Sequence, residues 1–190
     1  MEINKTATQD FSFLLREIGQ EIKINDQSET AIITKNTYTN DYDDRILSTL
    51  IPVQRGDMIE YNNANWVVYS DIAGEQRFKY KAQIRHLPHT LSIQVDTKTE
   101  VVGEDSLGRP ITEETPIFTD VDCYAQQNSV MTTEGQIRLV NGDIIFTTAD
   151  NEQAKDISVN DTFEFNGTVY QIYAVDRTDL GLIHINAEVN

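Results

Sequence analysis

The sequence is poor in the residues that staple or punctuate a fold. Cys123 is its one cysteine, so no intrachain disulfide can form, and a lone thiol of this kind is expected as a small, half-buried strand residue of a protein folded in a reducing cytoplasm. Basic residues are scarce as well: 15 Lys and Arg face 31 Asp and Glu, a formal charge of −16. Such a chain repels a phosphate backbone wherever no local basic patch compensates, which argues against a sequence-reading nucleic-acid binder. No apolar run approaches the roughly 18 residues of a membrane span. The opening MEINKTATQDFSFLL lacks the basic and then apolar regions of a signal peptide. The chain is expected to stay in water, and at 190 residues it is long enough to bury a core without staples.

Catalytic signatures are missing too. There is no G-x-S-x-G, P-loop, dinucleotide fingerprint or calcium loop. The three histidines include one close pair, His86 and His89, but Pro88 between them excludes a metal-binding helix, and their spacing does not place both rings on one strand face. His184 reads as an ordinary strand residue. The adjacent carboxylates Glu113 and Glu114 point to opposite faces of a strand and cannot flank one scissile bond. DNEQAKD and NDYDD hold oxygen ligands without calcium-loop spacing and read as solvated acidic loops. The expectation is a protein with no catalytic residue, no metal and no cofactor, hence not an enzyme.

What the chain does contain is alternation of period two. One short amphipathic helix is expected from Asp10 as N-cap to a stop at Gly19, with Phe11, Leu14, Leu15 and Ile18 on its apolar side. These four side chains either lid the chain's own sheet or, in residues 1–19 acting as an N-terminal arm, dock on a neighbouring subunit. After Gly19, EIKIN and TAIITKN flank the turn-rich DQSE as a hairpin, and TNDYDD is an acidic loop before RILSTL. RFKYKAQIR alternates basic with apolar residues and reads as a strand with a solvated face; KYKAQIRHL and HTLSIQV break at Pro88. SVMTT, QIRLV and DIIFTTA follow, with NGD at 141–143 as a hairpin turn signal.

One stretch is written twice. DMIEYNNANWVVY (57–69) and DTFEFNGTVYQIY (161–173) align without gaps at an offset of 104 residues. In each an aspartate opens a strand, Ile59 and Tyr61 or Phe163 and Phe165 fall on one face, Asn62-Asn63 or Asn166-Gly167 supplies the turn, and Trp66 or Tyr170 starts the return. Each copy reads as a β-hairpin with an aromatic cross-strand pair. Between 96 and 122 the composition shifts to Asp, Glu and Thr with Pro110, Pro116 and Gly108. The arms TEVVGE and PITEETPIF around EDSLGRP predict a protruding hairpin inserted in the fold. Strand signals every 8 to 12 residues with one helix give an all-β protein, an antiparallel barrel or sandwich forming a single domain over 1–190.

The segments RGDMIEYNNANWVVYSDI, KYKAQIRHLPHTLSIQ and NDTFEFNGTVYQIYAVDRTDLGLIHINAE together resemble a family of small neck proteins of tailed phages infecting Gram-positive bacteria. The likeness rests on Gly56, Asp57, Trp66, His89, Thr90 and Leu91. It implies a head-completion protein, a stopper or connector: a homo-oligomeric ring in the virion, assembled in the host cytoplasm, that joins portal or adaptor to tail proteins and passes or retains DNA without reading its sequence. In that setting Glu100, Glu104, Asp105, Glu113 and Glu114 would be acidic lumen or gating positions on the 96–118 loop. The same β-rich plan also suits a tail terminator or other tail component. A host-facing carbohydrate-binding module with Trp66, Tyr69, Tyr170 and Tyr173 as stacking platforms is a third reading, and it requires those rings to be exposed.

Overall fold

The computed structural model describes residues 3–36, 43–70, 79–131 and 137–190. Among them one helix, α1 (Ile3–Ile18), precedes twelve strands. The first six are β1 (Gln20–Ile24), β2 (Gln27–Lys35), β3 (Asp44–Thr49), β4 (Met58–Tyr61), β5 (Ala64–Ser70) and β6 (Tyr80–His86). The second six are β7 (His89–Glu104), β8 (Pro110–Met131), β9 (Ile137–Ala149), β10 (Thr162–Phe165), β11 (Thr168–Asp176) and β12 (Leu182–Val189).

The all-β class expected from the alternation is what the chain adopts, and its strands close into two barrels. The first runs β1-β2-β3-β6-β5-β4 and closes through Ile24↔Ile59. The second runs β7-β8-β9-β12-β11-β10 and closes through Ile93↔Phe163. Each fills its own interior: Ile22, Leu47, Ile59, Trp66 and Ile84 in one, Leu91, Phe146, Phe163, Ile172 and Ile185 in the other. Alternation specifies which face of a strand is buried, not how many barrels the buried faces line, so the one domain expected over 1–190 is drawn as two barrels. They meet in a third core of Val67, Leu87, Tyr124, Ala149 and Leu182.

The two barrels repeat one plan. Both have the strand order first-second-third-sixth-fifth-fourth. Both carry a bulge at the same place, Tyr69 between Val68 and Ser70 and Tyr173 between Ile172 and Ala174. The duplicated stretch forms the fourth and fifth strands of each. Asn62 and Asn63 (φ 55° and 57°), and Asn166 and Gly167 (φ 52° and 77°), make the left-handed two-residue turns that match strand twist. The repeated aspartate ties the preceding loop: the Gln54 N–H donates to Asp57 Oδ2 and the Ser158 N–H to Asp161 Oδ2, each at 2.7 Å. In the second copy Phe163 lies opposite Tyr170 with stacked rings 5.8 Å apart. In the first, Trp66 lies opposite Ile59, and its aromatic neighbour is Tyr61, diagonally across at 6.1 Å.

Several boundaries differ from the sequence reading. α1 begins at Ile3, leaving Asp10 inside the helix and not at its N-cap; once Phe11 and Leu15 anchor one face, adding turns upstream requires no new nucleus. Gly19 does end it: its N–H donates to the Leu15 carbonyl at 2.9 Å, and a Cβ there would sit 2.1 Å from that oxygen. The first hairpin turns at Asn25-Asp26 (φ 47° and 66°), with Gln27 already in β2. NGD at 141–143 is not a turn. β9 runs through it, and between the pairs Gln127↔Ile144 and Ser129↔Leu139 the register shifts, with residues 140–143 opposite Asn128, because pairing on both flanks overrides a local turn preference. Residues 39–42 of the expected acidic loop lie outside the described residues, as do the last two residues of SVMTT, the first of QIRLV and the first two of RFKYKAQIR.

Candidate functional site

The protruding hairpin is present as expected. β7 and β8 pair from His89↔Cys123 at the barrel to Glu104↔Pro110 near the tip, and residues 96–118 are exposed apart from partly covered Asp105. The turn is built by Asp105, whose Oδ1 accepts the Leu107 and Arg109 N–H groups at 2.8 and 2.9 Å, with Gly108 at φ 75°. Asp105 is therefore committed to turn geometry, while Glu104 ends the β7 arm in solvent. Glu100 and Glu113 stand directly opposite each other, a like-charge pair that weakens the hairpin. Lys98 Nζ approaches Glu100 at 2.5 Å. Glu114, opposite Thr99, faces the other side of the ribbon. The five acidic residues thus occupy both arms and the turn of one hairpin but do not converge on one point. Interleaved with them are exposed apolar side chains that charge counting alone passes over: Val101, Val102, Leu107, Ile111, Ile117 and Phe118.

The expected docking residues divide. Phe11 and Leu15 are buried within the chain, whereas Leu14 and Ile18 are exposed together with Phe13. The six residues expected in the repeated hairpins fall inside: Ile59, Trp66, Phe163 and Tyr170 are buried, with Tyr61 and Phe165 packed against the same cores. Tyr69 lies beneath Arg85 at 3.8 Å, and only Tyr173 of the four proposed stacking rings is exposed, so no aromatic platform forms there.

The barrel junction holds the strongest polar cluster. Arg85 forms a two-pronged ion pair with Asp44, Nε to Oδ1 at 2.8 Å and Nη2 to Oδ2 at 3.0 Å, their side chains 6% and 0% exposed. Gln83 Nε2 donates to the same carboxylate at 2.7 Å. The guanidinium lies over Tyr69 of the first barrel and 4.9 Å from the Tyr124 ring of the second. Burial opposes its charge, but the hydrogen bond to Asp44 prevails and holds its pKa above the usual arginine value. Sequence reading placed Arg85 on a solvated strand face and Asp44 in an acidic loop. Nothing in the local pattern marks them, because their burial comes from the packing of one barrel on the other. Asn65 Nδ2 to Asp122 Oδ2 at 2.6 Å and Arg55 Nη1 to Asp179 Oδ1 at 3.5 Å complete the junction. Backbone approaches backbone at Gly56 and Gly181, where a Cβ on either would lie 2.1 Å from a carbonyl oxygen across the contact.

Thr147, His184 and Asp179 form a hydroxyl-imidazole-carboxylate chain, with Thr147 Oγ1 2.9 Å from His184 Nδ1 and His184 Nε2 3.0 Å from Asp179 Oδ2. Thr147 is 0% exposed, so no substrate reaches that hydroxyl and the chain serves as a structural tie. His86 packs on Trp66 at 5.0 Å and His89 on Phe165 at 5.1 Å, each ring serving its own barrel. Among the described residues no group of three or more His, Cys, Asp or Glu is placed to hold a metal, and no helix is long and apolar enough to cross a membrane. Cys123 is fully buried and its thiol is pushed up to about 12, first by burial and then by Asp122. The DNEQAKD loop is fastened by Arg177, which donates to Asp150 Oδ1 at 2.7 Å and to the Ala154 carbonyl at 3.0 Å.

The junction also divides the chain by relationship. Residues 1–86 match the YomX N-terminal domain and residues 89–188 the YomX C-terminal domain. The chain belongs to the YomX family. The two YomX domains coincide with the two barrels, their boundary falling at Leu87 and Pro88 between β6 and β7. YomX is a Bacillus phage-type protein, which supports a phage origin at that level. No curated protein and no solved structure gives a significant match.

Proposed function

We propose that the chain is a structural virion protein of a tailed phage, a ring component at the head-tail interface that joins portal or adaptor to tail. The observation that carries this is a pair of closed barrels from which one acidic hairpin stands into solvent. Closed barrels leave no long strand edge to pair at random, which suits a subunit that must assemble in one geometry. A wall of net negative charge repels the DNA backbone and lets it slide without sticking; the exposed carboxylates of Glu100, Glu113 and Glu114 supply such charge. The phage-type family and the resemblance to neck proteins support the same reading.

Two measurements test it. Labelling the protein in purified particles and locating it by electron microscopy should place it between head and tail; density in the tail tube or at the host-facing tip would replace the reading with a tail role. Particles carrying a deletion of residues 97–115 should then fail in DNA retention or tail joining. Normal packaging, retention and tail attachment would sink a role for the hairpin in passage of DNA.

A further inference from the structure

Each barrel closes on its repeated hairpin in the same way, and at this closure the second barrel lacks a donor that the first supplies. Ile24 pairs with Ile59 and Ile93 with Phe163, so Asn25 and Gln94, the residues that follow, stand in the same place. Asn25 fills its position: Nδ2 donates to Asp57 Oδ1 and Oδ1 accepts the Met58 N–H, both at 2.9 Å. Gln94 turns away and donates to Thr97 Oγ1 at 3.3 Å. Asp161 keeps the Ser158 N–H on Oδ2, but among the described residues nothing donates to its Oδ1. Burial, only partly offset by that N–H, raises the Asp161 pKa, as expected of a carboxylate short of donors. Beside it lies a cleft of about 290 Å³ lined by Gln94–Thr97 and Asn160–Thr162, with Asp96 as its second carboxylate.

The cleft stands at the foot of an open strand edge. In the first barrel Ile24 pairs with Gln27 across the two-residue turn Asn25-Asp26. In the second, Ile93 pairs with Thr119 and residues 94–118 lie between them, an insertion where two residues suffice. β10 covers β7 only as far as Gln94. Beyond it the β7 arm, residues 95–104, is paired on one side alone, with β8. A two-stranded ribbon is marginally stable in water, and a third strand is what it lacks. The β8 arm is a poor place for one, because Pro110 and Pro116 have no N–H to donate; the β7 arm has no proline. Residues 94–118 hold six acidic and two basic side chains, and like charge keeps this edge from pairing with its own copies. The chain's densest basic segment, RFKYKAQIR, runs into β6, which is paired on both sides within the first barrel. The cationic strand that this edge favours therefore comes from another protein.

We infer that the β7 edge at 95–104 and the cleft at its foot form a docking site for an extended strand of a different protein, one that alternates apolar with basic residues. An antiparallel strand here runs from the hairpin tip toward the barrel, and its last basic side chain enters the cleft between Asp96 and Asp161. Its apolar residues lie beside the exposed Val101 and Val102, its other basic residues beside Glu100 and Glu104. Main-chain pairing supplies the adhesion and the carboxylates select the cation. The site needs neither a ring nor a virion, so it does not rest on the reading above.

The test uses the full chain and three short synthetic peptides followed by fluorescence anisotropy. One alternates valine with lysine, one alternates valine with glutamate, and one has the charge of the first but proline in place of its valines. The valine-lysine peptide should bind and slow amide hydrogen exchange along 95–104 by about tenfold or more, the glutamate peptide should not bind, and the proline peptide should bind at least about tenfold more weakly. Asp161→Asn, which keeps an acceptor for the Ser158 N–H, should weaken binding of the valine-lysine peptide by about tenfold with an unchanged thermal melt. Replacing residues 94–118 with Asn-Asp, as in the first barrel, should abolish binding and leave a cooperative melt. Equal binding of the proline peptide, no protection along 95–104, or undiminished binding by either variant would overturn the inference. Protection of 95–104 by the chain's own self-association, without peptide, would overturn the assignment to a different protein. Particle labelling decides the virion reading independently: a location outside the neck leaves the strand site standing, and a neck location without peptide binding does the reverse.

Discussion

Arg85 and Asp44 show what burial does to a charge that solvent would leave inexpensive. Exposed pairs such as Lys23 with Glu60, about half exposed at 48% and 46%, contribute little. A pair shut between two barrels cannot lose one partner without stranding the other. Arg85→Met should cost about 3–5 kcal/mol of unfolding free energy, and Arg85→Met combined with Asp44→Leu should recover much of that loss. Denaturant titration of the two variants checks both values. Cys123 gives the pH prediction. Its folded thiol, near 12 against a reference of 9.0, holds its proton more tightly than the unfolded one. Its contribution to stability is therefore fully present below the unfolded value and is lost as pH climbs through that window toward 12. Cys123→Ala should flatten this part of the stability profile, and in the native protein at neutral pH the thiol should resist alkylating reagents until denaturant is added.

At the scale of elements, the duplicated stretch is a turn-and-strand device used twice, and its copies are unequal. The second turn has Asn166-Gly167, the first Asn62-Asn63 with both residues at positive φ. Asn tolerates that region at some cost and Gly occupies it freely. Asn63→Gly should therefore stabilise the first barrel by about 0.5–1 kcal/mol, seen as a raised denaturation midpoint with unchanged slope. These turns, the aspartates that open the strands and the stop at Gly19 were legible in the sequence because each is a local backbone requirement met by a particular residue. NGD at 141–143 and Asp10 were misread for the complementary reason. Their local preferences are real but weak, and pairing along β9 and packing of Phe11 and Leu15 outweigh them.

For the whole molecule, the junction decides how the barrels behave together. Val67, Leu87 and Leu182 are buried there, each worth about 1.5–3 kcal/mol relative to exposure. The ion pair packed on the Tyr69 and Tyr124 rings and the backbone contact of Gly56 with Gly181 add to them. Scanning calorimetry should therefore show one cooperative transition for the intact chain, and Gly181→Ala, which drives a Cβ into the Arg55 carbonyl, should split it in two or lower it sharply. A second, separate transition in the unaltered protein would mean that the barrels unfold independently.

The sequence by itself determined the β class, the turns of the two repeated hairpins, the core-facing side chains of those hairpins and the acidic excursion at 96–122, all of them consequences of interactions between residues a few positions apart. Only the tertiary structure decided that the strands close as two barrels of one plan, that Arg85 and Asp44 are inside, and that the excursion is an insertion the fold does not need. Those depend on contacts between segments far apart in the chain, and a pattern of alternating side chains is the same whichever distant strand each one meets.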